Sequence, residues 1–261
     1  MLRCDVITLF PEMVTPVLES SMLKRAREKG LLEVNVHNLR DFTVDKHRVA
    51  DDIPYGGGAG MVMKAEPILR AVEEIRRPYE QTGETVRILF PSPQGRPFSQ
   101  AYAHDLAADR RRLLILCGHY EGVDERVRLA LNPEEVSVGD YILTGGELPA
   151  LILIDAASRL MPGVLGDPSS IVEESFAEPL LEYPHYTRPA EVRGLAVPDV
   201  LLSGHHEVIR RWRRREALRI TYHKRPDLLK DRQLTIEDQQ MLDDIIREGV
   251  PGAPVPCGEE R

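Results

Sequence analysis

Apolar runs of strand length alternate with helically spaced segments over the first 160 residues of the chain. Residues 3–9 form one such run. Residues 32–38 alternate apolar and polar positions, as a half-buried strand does. Further strand-length runs fall at 85–90, 113–117 and 134–138. Helices are predicted at 13–29 (one helix or two short ones, ended by Gly30 where a cap glycine belongs), 66–77, 99–107, 124–131 and 148–160. Strands alternating with helices predict an α/β fold built on a mostly parallel sheet covered on both faces.

The pattern changes after Leu160. Six prolines (Pro162, Pro168, Pro179, Pro184, Pro189, Pro198) punctuate a stretch with little periodicity. Helices then return at 206–221, 227–230 and 236–248, the last opened by Thr235-Ile236-Glu237-Asp238, a variant of the capping box. The predicted organisation is a domain over 1–163, a flexible linker over 164–178, a small helical domain over 179–249 and a disordered tail over 250–261. No internal repeat is visible.

Composition narrows the classes. A chain of 261 residues suffices for one large domain or two moderate ones, and 42% hydrophobic content supports a buried core. Cys4, Cys117 and Cys257 lie far apart with no Cys-x-x-Cys, so neither a disulfide framework nor a zinc site is indicated. His205-His206 reads as a helix start, not as metal ligands. The N-terminal segment lacks a signal peptide's apolar core, and no run of eighteen apolar residues exists. The expectation is a soluble cytoplasmic protein without a membrane span. A net charge of −8 argues against nucleic acid only if charge is spread evenly. It is not: Arg210, Arg211, Arg213, Arg214 and Arg215 surround the single tryptophan, Trp212. Helical spacing groups Arg210 with Arg214 and Arg211 with Arg215. From spacing alone, a nucleic-acid contact and a solvated helix face are equally matched.

Three loops carry the candidate chemistry. Pro91-Ser92-Pro93-Gln94-Gly95-Arg96, Cys117-Gly118-His119-Tyr120-Glu121-Gly122 and Val138-Gly139-Asp140-Tyr141-Ile142-Leu143-Thr144-Gly145-Gly146-Glu147-Leu148-Pro149 each follow a predicted strand. Glycine permits close backbone approach to a ligand. Glycine loops at strand-to-helix junctions of an α/β sheet are where nucleotide-like ligands bind. Three of them predict one shared pocket. A fourth glycine-rich segment, 51–60, lacks the Gly-Lys-Ser/Thr of a P-loop, which excludes that motif.

These segments also carry a resemblance. Asp5-Val6-Ile7-Thr8-Leu9-Phe10-Pro11, the 51–60 loop, the three pocket loops, Phe176-Ala177-Glu178-Pro179, Pro184-His185-Tyr186-Thr187-Arg188-Pro189, residues 198–204 and Ile209-Arg210-Arg211-Trp212-Arg213 occur in one order. In that order they resemble the bacterial tRNA (guanine-N1-)-methyltransferase family of the SPOUT class. The resemblance implies a deep trefoil knot in the mostly parallel sheet, with a small helical C-terminal domain. It also implies S-adenosylmethionine held by the three loops, and methylation of N1 of guanosine 37 beside the anticodon of tRNA. By matched motif, the cofactor would meet Gly118, Val138, Gly139, Asp140, Tyr141, Ile142 and Leu143, with Gly145, Gly146 and Pro149 closing the pocket and Pro93, Gln94 and Glu121 as walls. Glu174 would be the general base and Arg159 the catalytic cation, with Glu173 ranked below Glu174. The family carries aspartate where this chain has Glu174. Arg188, Arg210, Arg211 and Arg214 would contact tRNA phosphate. Members act as homodimers whose active site is shared between subunits, and no metal is implied. The alternative is a SPOUT enzyme acting on another base or on a ribose 2′-hydroxyl.

Overall fold

A computed structural model of the chain describes residues 1–167, 171, 174–230 and 232–249. The chain divides into two compact units, Met1–Pro168 and Ser169–Arg261. The first is α/β. Its strands are β1 (Leu2–Thr8), β2 (Leu32–Asn38), a short antiparallel pair β3 (Asp51–Asp52) and β4 (Val62–Met63), then β5 (Val86–Pro97), β6 (Arg112–Leu116) and β7 (Glu134–Ser137). Five of them form one sheet in the order β2-β1-β6-β5-β7, and every pairing within it is parallel. The mostly parallel sheet expected from the alternation of elements is therefore present.

Side-chain alternation explains why helices cover both faces. On β6, Leu113 and Ile115 join one core cluster while Leu114 and Leu116 join the other. The first cluster packs against α1 (Pro11–Leu18), α2 (Ser21–Glu28), α4 (Gln100–Ala108) and α6 (Glu147–Ser158). The second packs against α3 (Ala65–Gln81) and α5 (Glu125–Leu131). The 13–29 segment resolves into the two-helix alternative, with Lys29 at the cap and Gly30 beyond it at φ 66°. Ser99 and Asp124 cap α4 and α5, each accepting a backbone N–H, from Tyr102 and Arg126 respectively.

The structure departs from the pattern reading at β5. Two prolines make 91–96 read as a loop, yet the strand continues to Pro97. Pro91 and Arg96 both stand opposite Val136, so the intervening residues bulge out of the ladder. Gly95 permits this close approach, because a Cβ there would overlap the backbone nitrogen of Val136.

The second unit contains a two-residue hairpin, β8 (Glu191–Val192) and β9 (Leu195–Ala196), turned by Arg193 and Gly194 at φ 53° and 79°. Its described helices include α7 (Asp199–Leu202), α8 (His206–Lys224) and α9 (Ile236–Glu248). His205 is the cap residue of α8, as the helix-start reading expects. Thr235 caps α9 by accepting the Asp238 N–H at 3.1 Å. A small core of Leu180, Leu218, Met241 and Ile245 joins α8 and α9 to the Leu180 segment. The 250–261 tail lies outside the described residues. Among the described residues, no helix is long and apolar enough to cross a membrane.

Candidate active site

The first pocket segment is the bulge near the carboxyl end of β5 and the other two follow β6 and β7, which places all of them at the carboxyl edge of the sheet. They enclose a cavity of about 380 Å³. Backbone pairing joins the second and third: the Gly146 amide donates to the Gly118 carbonyl at 2.8 Å, and His119 bridges to Gly145. Space at this junction is tight for a side chain. A Cβ on Gly146 would lie 2.8 Å from Cys117 Cα, one on Gly118 would meet the Phe90 ring at 3.3 Å, and one on Gly139 would overlap Tyr141. Gly139 also sits at φ 147°, a conformation that disfavours side chains.

Of the cofactor residues implied by sequence, Pro93, Gln94, Gly118, Glu121, Val138, Gly139, Tyr141, Ile142, Leu143, Gly145, Gly146 and Pro149 line this cavity. Asp140 does not: it is exposed between two lining neighbours. Apolar side chains stand open at the cavity, with Ile142 81% exposed. Ser137 fixes the start of the third loop by accepting the Gly139 N–H at 3.2 Å.

A lining residue outside the three loops escaped the sequence reading. Arg128 of α5 reaches the cavity with its guanidinium 4.9 Å from the Phe90 ring centroid and its Nε 3.3 Å from Glu135. On helical spacing it reads as an ordinary surface charge. His119, which the sequence places in the second pocket loop without a role, lines the cavity, and its ring packs 4.6 Å from Phe10. Buried Cys117 sits beneath the second loop. Burial, with the neighbouring Glu147 charge, pushes its thiol well above the ordinary range, so it offers no thiolate nucleophile.

The 51–60 segment is tied to this site. Glu121 donates its amide to Met61 at 3.1 Å, Met63 donates to Gly122 at 2.9 Å, and Gly60 lies so close to the Glu121 side chain that a Cβ would overlap it. Gly56, Gly57, Gly58 and Gly60 all adopt positive φ.

The other implied residues lie elsewhere. Arg159 is the C-terminal cap residue of α6, with its amide bonded to Asp155. Glu174 belongs to the second unit, where it lines a cavity of about 470 Å³ with Tyr183, His206, Arg210 and Arg213 among others. Glu173 lies outside the described residues. Arg188 is exposed, and Arg210 pairs with Glu207 at 2.6 Å on the open side of α8. Arg211 approaches Glu237 only to 3.9 Å. Arg214 differs, being bonded to both Asp238 and Glu178. No group of three or more His, Cys, Asp or Glu side chains among the described residues is arranged to hold a metal ion.

A parallel sheet carrying one glycine-lined cavity at the ends of three strands defines an α/β protein with a site for a nucleotide-like ligand. Comparison with known proteins is more specific. The profile of the family tRNA (Guanine-1)-methyltransferase TrmD matches residues 2–231. The tRNA (guanine-N(1)-)-methyltransferase of Pelotomaculum thermopropionicum is 55% identical over 245 residues, covering 94% of this chain and 96% of its own. That of Moorella thermoacetica is 56% identical over 248 residues, covering 94% and 97%. That of Dictyoglomus turgidum is 53% identical over 248 residues, covering 95% and 98%. The chain belongs to the tRNA (guanine-1)-methyltransferase family.

Proposed function

We propose that this chain is a tRNA (guanine-N1-)-methyltransferase that carries the methyl group of S-adenosylmethionine to N1 of guanosine 37. The observation carrying the reading is the glycine-lined cavity at the ends of β5, β6 and β7, in a chain of this family. The residues fit the cofactor. Gly139 and Gly146 leave backbone bare where a Cβ would overlap its neighbours, Gly118 has little room beside Phe90, and adenine is suitably read by backbone groups between apolar walls such as Pro93, Leu143 and Pro149. When bound, S-adenosylmethionine supplies a methyl group made electrophilic by its sulfonium.

The chain must supply the rest. Guanine N1 carries a proton at neutral pH, so a base has to remove it as N1 attacks, and a cation has to meet the charge developing on O6. We assign these roles to Glu174 and Arg159. Glutamate retains the carboxylate that the family's aspartate provides, one methylene further from the backbone.

The family also motivates the knotted SPOUT topology and a homodimer in which the linker and the 179–249 domain of one subunit complete the cavity of its partner. Paired helices α1 and α6 expose Met13, Val17, Leu148 and Ile152, which suits a subunit contact. Arg188, Arg210 and Arg211 are open to solvent and suit phosphate contacts, which makes binding salt-dependent.

Glu174→Gln tests the assignment. Loss of a general base lowers transfer by about a hundredfold or more, while S-adenosylmethionine affinity, measured calorimetrically, stays at the wild-type value. A variant with near-normal turnover would remove Glu174 from this role.

A further inference from the structure

Glu147 is fully buried in the first turn of α6. Its Oε1 accepts a 2.7 Å hydrogen bond from the Thr8 hydroxyl at the end of β1, and Thr8 Oγ1 accepts the Phe10 N–H at 2.9 Å. Its Oε2 is buried and has no hydrogen-bond partner among the described residues. Facing it at 3.7 Å is Nδ1 of His119, also buried and also without a partner. Two such atoms side by side are costly unless they serve each other.

The separation is longer than a hydrogen bond, and the space between the two atoms is kept clear by Gly145. A Cβ at that position would overlap both Glu147 Oε2 and His119 Nδ1. A small rotation of the imidazole therefore closes the gap without meeting a side chain from residue 145. Burial keeps the neighbouring Cys117 thiol protonated, so it brings no competing charge to Glu147. The amino end of α6 favours a carboxylate there. His119 meanwhile lines the cofactor cavity, and Nδ1 is its inward, buried nitrogen.

We propose that Glu147 is a positioning residue: Oε2 accepts Nδ1–H of His119, which fixes the imidazole tautomer and leaves Nε2 as an acceptor for a hydroxyl or amino donor of the bound cofactor. The inference rests on reading the cavity as the S-adenosylmethionine site, whose ribose hydroxyls and amino groups are the available donors. A carboxylate only accepts, and a neutral imidazole has one donor and one acceptor nitrogen, so the proton belongs on the nitrogen facing Glu147.

The test uses the full-length, 15N-labelled protein with S-adenosylhomocysteine as probe. His119 ring signals are assigned by their loss in His119→Asn. The expected result is a protonated Nδ1 and a bare Nε2 whose resonance moves on ligand addition. In Glu147→Gln the side-chain amide donates to Nδ1, so the proton moves to Nε2 and affinity falls about tenfold, the size of one lost hydrogen bond. His119→Asn keeps a donor near Glu147 and removes the acceptor, with a similar loss. If Glu147→Gln does not fold, the wild-type tautomer decides alone. A proton on Nε2 in the wild type, or an Nε2 signal indifferent to bound ligand, overturns the inference while the cofactor reading stands. Calorimetry showing no binding to the wild type overturns the cofactor reading and the acceptor role with it.

Discussion

Arg214 clamps Asp238 with two parallel hydrogen bonds of 2.8 Å, Nε to Oδ1 and Nη2 to Oδ2, joining α8 to α9. Its remaining Nη1 bonds Glu178 at 2.9 Å. Hydrogen bonding to these carboxylates holds the guanidinium pKa above its ordinary value, and the same bonds hold Asp238 below its own. Two residues counted on spacing as one stripe, Arg210 and Arg214, thus have different environments: one is open to solvent, the other ties helices together.

Arg214→Ala should therefore destabilise the second unit. Asp238 is 4% exposed and would be left as a buried carboxylate without its guanidinium partner. Arg214 is partly exposed, and solvent screening reduces the expected loss to about 2 kcal/mol. Urea denaturation measures it, and a loss below about 0.5 kcal/mol, the scale of an ordinary surface change, would contradict the assignment.

Arg211→Ala should behave oppositely. Its side chain is 69% exposed and its nearest carboxylate stands 3.9 Å away. Stability should stay within about 0.5 kcal/mol. The slope of log affinity for tRNA against log salt should fall by about one unit, as for a lost phosphate contact. An unchanged slope would place Arg211 on the solvated face.

Much of the first unit is legible in sequence because buried parallel strands read as short apolar runs. Residues 113–117 announce β6 in this way. The β3–β4 and β8–β9 pairs are two residues per strand, too short to produce a period. β5 hides behind Pro91 and Pro93, whose turn signal masks continued pairing with β7. In the site, glycines mark the loops, and at Gly95 and Gly146 a Cβ would run into neighbouring backbone. Glu147 reads as an ordinary acid in the first turn of a helix. Its buried hydrogen-bond donor is Thr8, 139 residues away, and no local pattern carries that information.

Gly95→Ala tests the crowding argument. Its Cβ would overlap the backbone of β7, forcing β5 and β7 apart at a cost of about 1–3 kcal/mol and weakening cofactor binding. Gly166→Ala is the control, since nothing lies within 4 Å of a Cβ there. Equal thermal midpoints for the two variants would refute the argument.

Acid should unfold the first unit partly through Asp5. Burial alone would raise its pKa, but the His37 hydrogen bond and charge, with Arg112 and Asn35, outweigh burial and hold it below the usual carboxylate range. A carboxyl with a depressed folded pKa stabilises fully above its unfolded value of about 3.9, and that contribution is lost as pH falls through the folded pKa. The urea midpoint should drop below about pH 4. Asp5→Asn should lower the midpoint at neutral pH and flatten the acid-side decline. A parallel decline in both proteins would assign acid sensitivity to other groups.

The central claim is tested most directly by methyl transfer from S-adenosylmethionine to an unmodified tRNA transcript with guanosines at positions 36 and 37, beside one with adenosine at 37. The expected result is label in the first transcript alone, recovered as N1-methylguanosine. Equal labelling of both, label on a ribose or another base, or no transfer by protein that binds the cofactor would contradict it.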